Sequence, residues 1–325
     1  MELIKITRES GIPLVGHLAF GIIDRGSNLL QVRATTVCNL QCTFCSTAAG
    51  PDMHPVNYEV EVNYLLDWIK EVIKLKENKE IEINIDSMGE PTAYPDLVKL
   101  VTELKKFPEV KFVSMQTNGS LLTEEKIKAL ESAGLDRINL SIHALNEELA
   151  KQLMGSEYYD LKKVEDVAKL VRKTKIELNL TPVLLFGVND KELPKLIHLA
   201  KELECKISIQ KYELYKYSRK EKKAKVQNWY KFYKQLEVWE KEFNIKLKYG
   251  PRDFKVFRTR KIPLVFERGE IIQAEVKAKG WLKGELVASA KNRALAILDA
   301  NAKINDRLKV KILNTQNSIY LAKKI

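Results

Sequence analysis

The feature that most constrains the fold of this 325-residue chain is a regular alternation of strand-like and helix-like segments between residues 28 and 212. The run NLLQVRATT (28–36) is apolar and β-branched, and EIEINID (80–86) alternates, whereas VNYLLDWIKEVIKLK (62–76) repeats apolar residues at helical spacing. Such alternation predicts parallel strands joined by right-handed crossovers. Because six strand–helix units are too few for a closed eight-unit barrel, we predict an α/β fold with a partial (β/α)6 TIM-type barrel. An open doubly wound sheet is the alternative.

The other elements of this region follow from the same patterns. We predict strands at 110–117, 137–143, 176–185 and 206–212, and helices at 95–106, 123–134, 165–174 and 190–203. Thr123 is suited to cap the helix at 123–134, and Gly134 is suited to end it. In a partial barrel and in an open sheet alike, functional side chains are expected at the C-terminal ends of the strands.

The sequence changes character near residue 218. Lysine-rich SRKEKKAKVQ leads into NWYKFYKQLEVWEKEF, which has the pattern of an aromatic amphipathic helix, and after Gly250-Pro251 only short alternating runs remain. Frequent turns between β-like runs are typical of a small barrel of about five strands. We therefore predict two domains, residues 1–255 and residues 256–325, the second an all-β barrel of the OB type.

The charge is distributed unevenly along the chain. Residues 211–325 contain 29 Lys and Arg against 12 Asp and Glu, whereas residues 1–210 contain 26 against 31. A basic C-terminal part favours binding of a polyanion, most often nucleic acid. A lysine-rich surface that serves only solubility would give the same composition.

Composition and the N-terminus bear on the compartment. No apolar run approaches the roughly 18 residues of a membrane-spanning helix, and MELIK lacks the layout of a signal peptide. Four cysteines in a chain of this length argue against a disulfide scaffold and favour a reducing compartment. We expect a cytoplasmic protein that does not bind membranes.

Three of the cysteines are grouped. Cys38, Cys42 and Cys45 form the pattern C-x3-C-x2-C directly after the first predicted strand. Three thiolates at this spacing are suited to bind three irons of a [4Fe–4S] cluster and to leave the fourth iron for another ligand. A zinc site, which usually needs four protein ligands at other spacings, and purely structural thiols are the alternatives.

The cysteine pattern resembles that of the radical S-adenosylmethionine (SAM) superfamily, and the resemblance covers about residues 28–212. The superfamily's C-x3-C-x-φ-C, with φ aromatic, is matched by Cys38, Cys42, Phe44 and Cys45. The resemblance implies a partial (β/α)6 barrel and a [4Fe–4S] cluster whose open iron chelates SAM. It also implies reductive cleavage of SAM to a 5′-deoxyadenosyl radical, which abstracts hydrogen from a substrate.

The resemblance extends to the ends of the other predicted strands. In DSMGEP (86–91), Gly89 and Glu90 match the end of a family Gly-Gly-Glu motif that binds the SAM amino group, but Met88 replaces its first glycine. By the same comparison, the candidate SAM contacts are Phe44, Gly89, Glu90, Gln116, Asn118, Ser141 and Val183. Gln210 is added because it lies in a polar cluster at the predicted rim of the last strand. Ordinary turn or core roles are the alternatives for most of them.

Candidate catalytic residues lie at the same predicted rim. They are His143, two residues beyond Ser141, and Lys211 and Tyr212 on the last strand. Cys205 precedes that strand and is expected to be a small buried residue. Since no further cysteines are present, methylthiotransferases with a second cluster and methylases with a substrate-linking cysteine pair do not match. The remaining chemistry uses one cluster and SAM, either alone or with a partner enzyme, and an electron donor such as ferredoxin or flavodoxin.

The C-terminal segment, about residues 265–325, resembles a TRAM domain, a small β-barrel that accompanies RNA-modifying enzymes. The candidate nucleic-acid contacts are Trp281, Lys283, Lys291, Arg293, Arg307, Lys309 and Lys311. Trp281 and Tyr320 would either stack on bases or fill the core of the barrel.

Two functions remain open at this point. The first is a radical SAM enzyme that modifies RNA, with a tRNA base as the expected target. The second is a radical SAM enzyme that acts on a protein, a peptide or a small metabolite. An iron–sulfur electron carrier is disfavoured, because it would not need the candidate SAM contacts.

Overall fold

The computed structural model describes residues 2–51 and 53–325, which divide into two compact units. The first unit comprises residues 1–37, 51–113 and 256–325, and the second comprises residues 38–50 and 114–255. Among the described residues, no helix is both long enough and apolar enough to cross a membrane.

The first unit contains most of the strands. Its N-terminal and middle segments form β1 (Glu2–Ile6), β2 (Gly21–Asp24), β3 (Leu29–Arg33), β4 (Val56–Val60), α1 (Val62–Lys76), β5 (Ile81–Ile85), α2 (Leu97–Leu104) and the start of β6 (Val110–Thr117). Its C-terminal segment forms β12 (Ile271–Lys279), β13 (Leu286–Ala290), β14 (Arg293–Leu298), β15 (Arg307–Asn314) and β16 (Leu321–Lys324).

The second unit alternates strands with helices. It comprises the end of β6, then α3 (Glu124–Ser132), β7 (Arg137–Leu140), α4 (Glu147–Met154), α5 (Leu161–Arg172), β8 (Glu177–Leu180), β9 (Val183–Leu184), α6 (Leu193–Glu202), β10 (Lys206–Ile207), β11 (Gln210–Lys211) and α7 (Trp229–Phe243).

The larger sheet is mixed and has seven strands among the described residues. In the first unit the order is β2-β3-β5, with β2 antiparallel to β3 and β3 parallel to β5. In the second unit the order is β6-β7-β8-β10, and all of these pairs are parallel. Consecutive parallel strands separated by helices confirm the predicted partial (β/α)6 barrel fold. The antiparallel strand β2 was not predicted.

Local sequence signals set several of the element boundaries. The Thr123 side chain accepts a hydrogen bond from the Lys126 N–H at the start of α3, and Gly134, with φ of 89°, follows the end of the helix. The predicted strand 176–185 is divided into β8 and β9, with Pro182 between them. The helix α4 was not predicted.

The C-terminal strands form a closed five-strand barrel in the order β12-β13-β14-β16-β15, as predicted. In β15, Leu308, Val310 and Ile312 are buried, while the residues between them are exposed. The Tyr320 side chain is fully buried and meets Phe266 edge to face, with ring centroids 5.0 Å apart. Tyr320 therefore fills the core of the barrel.

The barrel belongs to the same compact unit as the N-terminal segment and is bonded to it. The Ala294 N–H donates to Val15 O at 2.9 Å, and the Tyr58 hydroxyl donates to Lys279 O at 2.6 Å. The segment before the barrel is held by a fully buried ion pair between Lys76 Nζ and Asp24 Oδ1, 2.9 Å apart. Because Lys76 Nζ also donates to the backbone of the linker at Arg260, the pair stabilises the attachment of the barrel.

Candidate active site

The three grouped cysteines lie in an irregular loop of the second unit that has extensive backbone support. The Cys45 N–H donates to Cys42 O at 3.1 Å, and the Ala48 N–H donates to Cys45 O at 3.2 Å, so the loop turns back on itself. The Thr43 N–H donates to Leu153 O at 2.9 Å, near the C-terminal end of α4. The unpredicted helix α4 therefore helps to fix the conformation of the cysteine loop.

Arg219, which is distant in sequence, also supports the cysteine loop. Its backbone N–H donates to Cys45 O at 2.9 Å, and its Nη2 donates to Ala49 O. Its Nε and Nη1 are buried and have no hydrogen-bond partner among the described residues. Unsatisfied buried donors beside the cysteines are suited to an anionic group.

The thiol groups of the cysteine loop are in an environment that disfavours the thiolate form unless a cation is bound. Burial, together with the neighbouring Cys45 and Cys38, raises the pKa of the Cys42 thiol well above its usual range, and Arg219 partly opposes this shift. A bound metal deprotonates such thiols outright. Within residues 2–51 and 53–325, no three His, Cys, Asp or Glu side chains converge on a position for one ion. A [4Fe–4S] cluster does not require the three thiols to converge on one position, because each cysteine binds a different iron. The donor set fits that cluster.

The residue after the first cysteine connects the loop to the end of β6. Asn118 Nδ2 donates to Asn39 Oδ1 at 3.2 Å, and Asn39 Nδ2 donates to Ser120 Oγ at 2.8 Å. The Ser120 hydroxyl in turn donates to Asn118 Oδ1 at 2.6 Å. The predicted SAM contact Asn118 thus lies beside the cysteine loop, together with Asn39 and Ser120, which sequence reasoning did not assign.

A second polar cluster joins the ends of three strands. Gln116 Nε2 donates to Ser141 Oγ at 3.0 Å and to Thr181 Oγ1 at 2.8 Å. Gln116 and Ser141 are predicted SAM contacts that the structure brings together. Thr181 was not predicted, although its position after β8 corresponds to that of Ser141 after β7.

His143 is held as a neutral side chain. Its Nδ1 accepts a hydrogen bond from the Val183 N–H at 3.0 Å, and its ring meets Phe44 edge to face, with centroids 4.7 Å apart. Burial lowers the pKa of His143 to about 3, so the imidazole is uncharged near neutral pH. The protonated nitrogen is then Nε2. This geometry brings Phe44, His143 and Val183 together and makes His143 unsuited to act as a cationic acid.

Gly89 and Glu90 lie in the first unit. The Glu90 N–H donates to Val37 O at 2.8 Å, and Glu90 Oε1 accepts from the Thr92 N–H and hydroxyl at 3.0 and 2.6 Å. A Cβ at Gly89 would lie only 2.2 Å from Val37 O, so the absence of a side chain is a packing requirement. Met88, which replaces the family's first glycine, is buried, and its sulfur accepts from Arg33 Nη1 at 3.2 Å.

The predicted contacts on the last strand differ in accessibility. Gln210 is exposed, whereas the Lys211 side chain is 8% exposed and lies 3.3 Å from Glu213 Oε1. The Tyr212 hydroxyl accepts from the Glu221 N–H at 3.0 Å, and burial raises its pKa. Cys205 is half-buried, and burial raises the pKa of its thiol to about 11.

The predicted nucleic-acid residues of the barrel fall into two groups. Lys283, Lys291, Arg307, Lys309 and Lys311 are exposed, and Lys291 is paired with Glu270 at 2.9 Å. Trp281 and Arg293 are only 4% and 7% exposed. Trp281 stacks on His54, with centroids 3.7 Å apart, so its face is not available to a base. Direct nucleic-acid contact by Trp281 and Arg293 does not fit this structure, because both side chains are packed inside the first unit.

Comparison with known proteins identifies the family of the chain. Residues 32–200 match the family model of the Radical SAM superfamily. The chain is 38% identical over 342 aligned positions to Uncharacterized protein MJ0103 of Methanocaldococcus jannaschii, covering 97% of this chain and 79% of that protein. It is 36% identical over 180 positions to a Probable GTP 3′,8-cyclase of Saccharolobus islandicus, covering 54% of this chain and 53% of the cyclase.

The fold is also similar to a solved structure. SuiB of Streptococcus suis, crystallised with S-adenosylmethionine, superposes with a TM-score of 0.52 at 16% identity, over 68% of this chain and 49% of SuiB. The chain thus spans about half the length of SuiB and of the cyclase. With the family model, the cysteine loop and the partial barrel in agreement, the chain belongs to the radical SAM superfamily, whose cofactors are a [4Fe–4S] cluster and SAM.

Proposed function

We propose that this radical SAM enzyme modifies RNA, with a tRNA base as its substrate and the C-terminal barrel, a TRAM-like domain, as an RNA-binding element. The observation that carries the proposal is a row of cations on the barrel. Arg307, Lys309 and Lys311 are exposed at alternate positions of β15, and Lys311 lies directly opposite the exposed Lys323 of β16. Like charges directly opposite each other on a sheet are destabilising.

None of the four cations lies within ion-pair distance of a carboxylate in the described part of the chain; Arg307 is opposite Glu275, whose carboxylate is paired with Lys277 Nζ at 2.7 Å. Phosphate groups of a nucleic acid would remove the repulsion between Lys311 and Lys323 and would release counterions on binding. A surface that served only solubility would be better built with mixed charges than with a lysine opposite a lysine. The arrangement therefore favours a polyanionic partner over a purely structural role for the barrel.

The site residues have roles that agree with this function. When bound, the reduced cluster and SAM supply a radical that abstracts hydrogen from the substrate. Cys38, Cys42 and Cys45 would hold the cluster. The resemblance assigns binding of the SAM ammonium group to Glu90, whose carboxylate is buried and is an acceptor. Neutral His143 fixes the chain at Val183. Similarity to a protein named GTP 3′,8-cyclase over half of the chain is a further reason to favour a nucleotide substrate.

The proposal includes a location and an electron donor. The donor would be a ferredoxin or flavodoxin in the cytoplasm, because a reduced cluster and free thiols require a reducing compartment. A partner enzyme would complete the modification if the radical step yields an intermediate.

Mass spectrometry of nucleosides tests the proposal directly. Total tRNA and rRNA are digested from a strain lacking the gene and from the same strain carrying the wild-type gene or the Cys42→Ala variant. We expect one modified nucleoside to be absent in the deletion strain and to return only with the wild-type gene. Unchanged profiles in both RNA pools would contradict RNA modification and favour a peptide, protein or metabolite substrate.

The role of the barrel is tested by charge removal. The double variant Lys309→Ala/Lys311→Ala is expected to bind tRNA more weakly and with a shallower salt dependence, because fewer counterions are released. Lys99→Ala, at an exposed position of α2, is the matched control. Equal tRNA affinity of the double variant and the control would refute the assignment of the barrel.

A further inference from the structure

A concentration of exposed aromatic side chains distinguishes one part of the second unit. Tyr215, Tyr217, Trp229, Tyr230 and Tyr233 are 56%, 46%, 52%, 70% and 43% exposed. Large aromatic residues are usually buried at least in part, and contiguous exposed groups of them mark interaction sites. We refer to these five residues, with the exposed lysines between them, as the aromatic–lysine surface.

The packing of α7 does not account for these rings. The buried face of the helix is formed by Phe232, Leu236, Trp239 and Phe243, and the ring of Phe243 lies 5.0 Å from that of His198 on α6. This apolar stripe is sufficient to attach the helix. Trp229, Tyr230 and Tyr233 lie outside this stripe. The rings of Trp229 and Tyr233 contact its edge at Phe232, with centroids 5.9 and 5.5 Å apart, but remain 52% and 43% exposed.

The charge of the segment is strongly positive. Residues 211–234 contain nine Lys and Arg and two Asp and Glu. Five of the lysines are exposed and make no ion pair within residues 2–51 and 53–325: Lys220, Lys222, Lys223, Lys225 and Lys231. A surface with unpaired cations and exposed rings is suited to a partner that carries both negative charge and flat apolar faces.

The rings are arranged for stacking. Trp229 and Tyr233, one helical turn apart, have centroids 5.7 Å apart and planes inclined by 26°. Cations also lie over ring faces nearby, with Lys211 Nζ 5.0 Å from the Trp229 centroid and Lys234 Nζ 6.0 Å from the Tyr230 centroid. Stacking of bases on aromatic platforms, combined with a basic track for the backbone, is how proteins bind single-stranded nucleic acid.

The segment is connected to the candidate active site within the second unit. It follows directly on Gln210 and Lys211, and the Arg219 N–H donates to Cys45 O at 2.9 Å. A second connection is made by the Lys225 N–H, which donates to Phe186 O at 2.9 Å in the loop after β9. A strand bound to this surface would thus be held next to the loop that carries the cluster ligands.

We propose that the aromatic–lysine surface binds an unpaired segment of the RNA substrate, whose bases stack on Trp229 and the neighbouring tyrosines while its phosphates contact the lysines. The proposal rests on the proposed function in that the substrate is RNA. It goes further by assigning the recognition of unpaired bases to this surface.

The test measures binding of full-length protein to a fluorescent single-stranded oligoribonucleotide and to an RNA duplex of the same length. Trp229→Ala/Tyr233→Ala is expected to bind the single strand roughly 5- to 150-fold more weakly for each aromatic ring that is removed from a stacked base. Trp229→Phe/Tyr233→Phe is expected to retain most of the affinity, because both rings remain. The control is Tyr158→Ala, which removes a 97% exposed tyrosine outside the surface.

Salt dependence tests the lysines separately. Lys222→Ala/Lys223→Ala is expected to reduce the slope of log K against log salt by about 1.4, since each phosphate contact to a single strand contributes about 0.7. Two results together would overturn this inference and leave the proposed function unaffected. They are wild-type affinity for the single strand in the Trp229→Ala/Tyr233→Ala variant and weaker tRNA binding in the Lys309→Ala/Lys311→Ala variant. Absence of binding to any RNA, together with an unchanged nucleoside profile, would instead refute the proposed function.

A protein partner is the other outcome that would overturn the inference. An acidic flavodoxin could contact the same cations. If the Trp229/Tyr233 alanine variant bound RNA normally and lost SAM cleavage with flavodoxin but kept it with dithionite, the surface would be a docking site for the electron donor.

Discussion

Replacing Gly89 by alanine tests whether the cysteine loop depends on close backbone packing. A Cβ there would lie 2.2 Å from Val37 O, 2.4 Å from Thr36 O and 2.5 Å from Val37 C, all of them backbone atoms. Since real Cβ contacts stay above 3.0 Å, the backbone must move by roughly 0.8 Å, and overpacking of this kind costs about 1–3 kcal/mol. Val37 directly precedes the first cluster cysteine, so the displacement should reach the ligand set.

We therefore expect the free energy of unfolding of Gly89→Ala apoprotein to fall by about 1–3 kcal/mol in urea denaturation. Iron content should fall as well, and SAM cleavage should decrease by up to about 100-fold, since a displacement near 1 Å at a reacting centre has that effect. Gly250→Ala is the matched control, because the nearest atom to its Cβ is Asp253 Oδ2 at 4.0 Å. If Gly89→Ala matched this control in stability, iron content and SAM cleavage, the packing argument would be wrong.

Three further substitutions probe separate parts of the molecule. Glu90→Gln keeps the size of the side chain and an acceptor for Thr92, so we expect an intact cluster and weaker SAM affinity in equilibrium dialysis; unchanged affinity would remove the assigned role. Lys76→Met leaves the Asp24 carboxylate buried without its cation, and urea denaturation should show a loss of about 3–5 kcal/mol. Because unfolded His143 binds a proton that the folded protein excludes, stability should rise with pH between about 3 and 6.5, by up to about 1.4 kcal/mol per unit. His143→Gln should flatten this pH dependence, and an unchanged slope would contradict the burial argument.

The sequence predicted the parallel core of the fold because its signals are local. β5 alternates over Ile81–Ile85, and α3 carries its own cap at Thr123. Strand β4 was missed because its partner β1 lies more than 50 positions earlier in the chain. Strand β2 was missed although it forms a hairpin with the next strand, β3, because it is only four residues long. The helix α4 was missed although its signals are local: Asn146 caps it, and Leu149, Ala150, Leu153 and Met154 repeat at helical spacing.

The same distinction applies to the site. The cysteine pattern is contiguous and was found from spacing alone. The hydrogen bond between Arg219 and Cys45 joins residues that are 174 positions apart. Arg219 belongs to the basic run 219–225, and the sequence does not indicate which side chain of that run packs against the cysteine loop. Trp281 could not be assigned from sequence either, because a buried indole and a base-stacking indole require the same residue.

The two basic regions differ in what they offer to a nucleic acid. After residue 258, all three aromatic residues of the C-terminal segment, Phe266, Trp281 and Tyr320, are buried, so the exposed face of β15 and β16 presents charge without ring faces. Charge alone binds the backbone and does not discriminate between sequences. The aromatic–lysine surface presents both positive charge and aromatic rings. Bases can stack on these rings only when they are not already stacked in a duplex. RNA binding by the barrel should therefore tolerate a duplex, whereas binding at the aromatic–lysine surface should require an unpaired strand. A stem joined to a loop would satisfy both requirements in one molecule, and this is why a tRNA, rather than a free nucleotide, is the substrate that we favour.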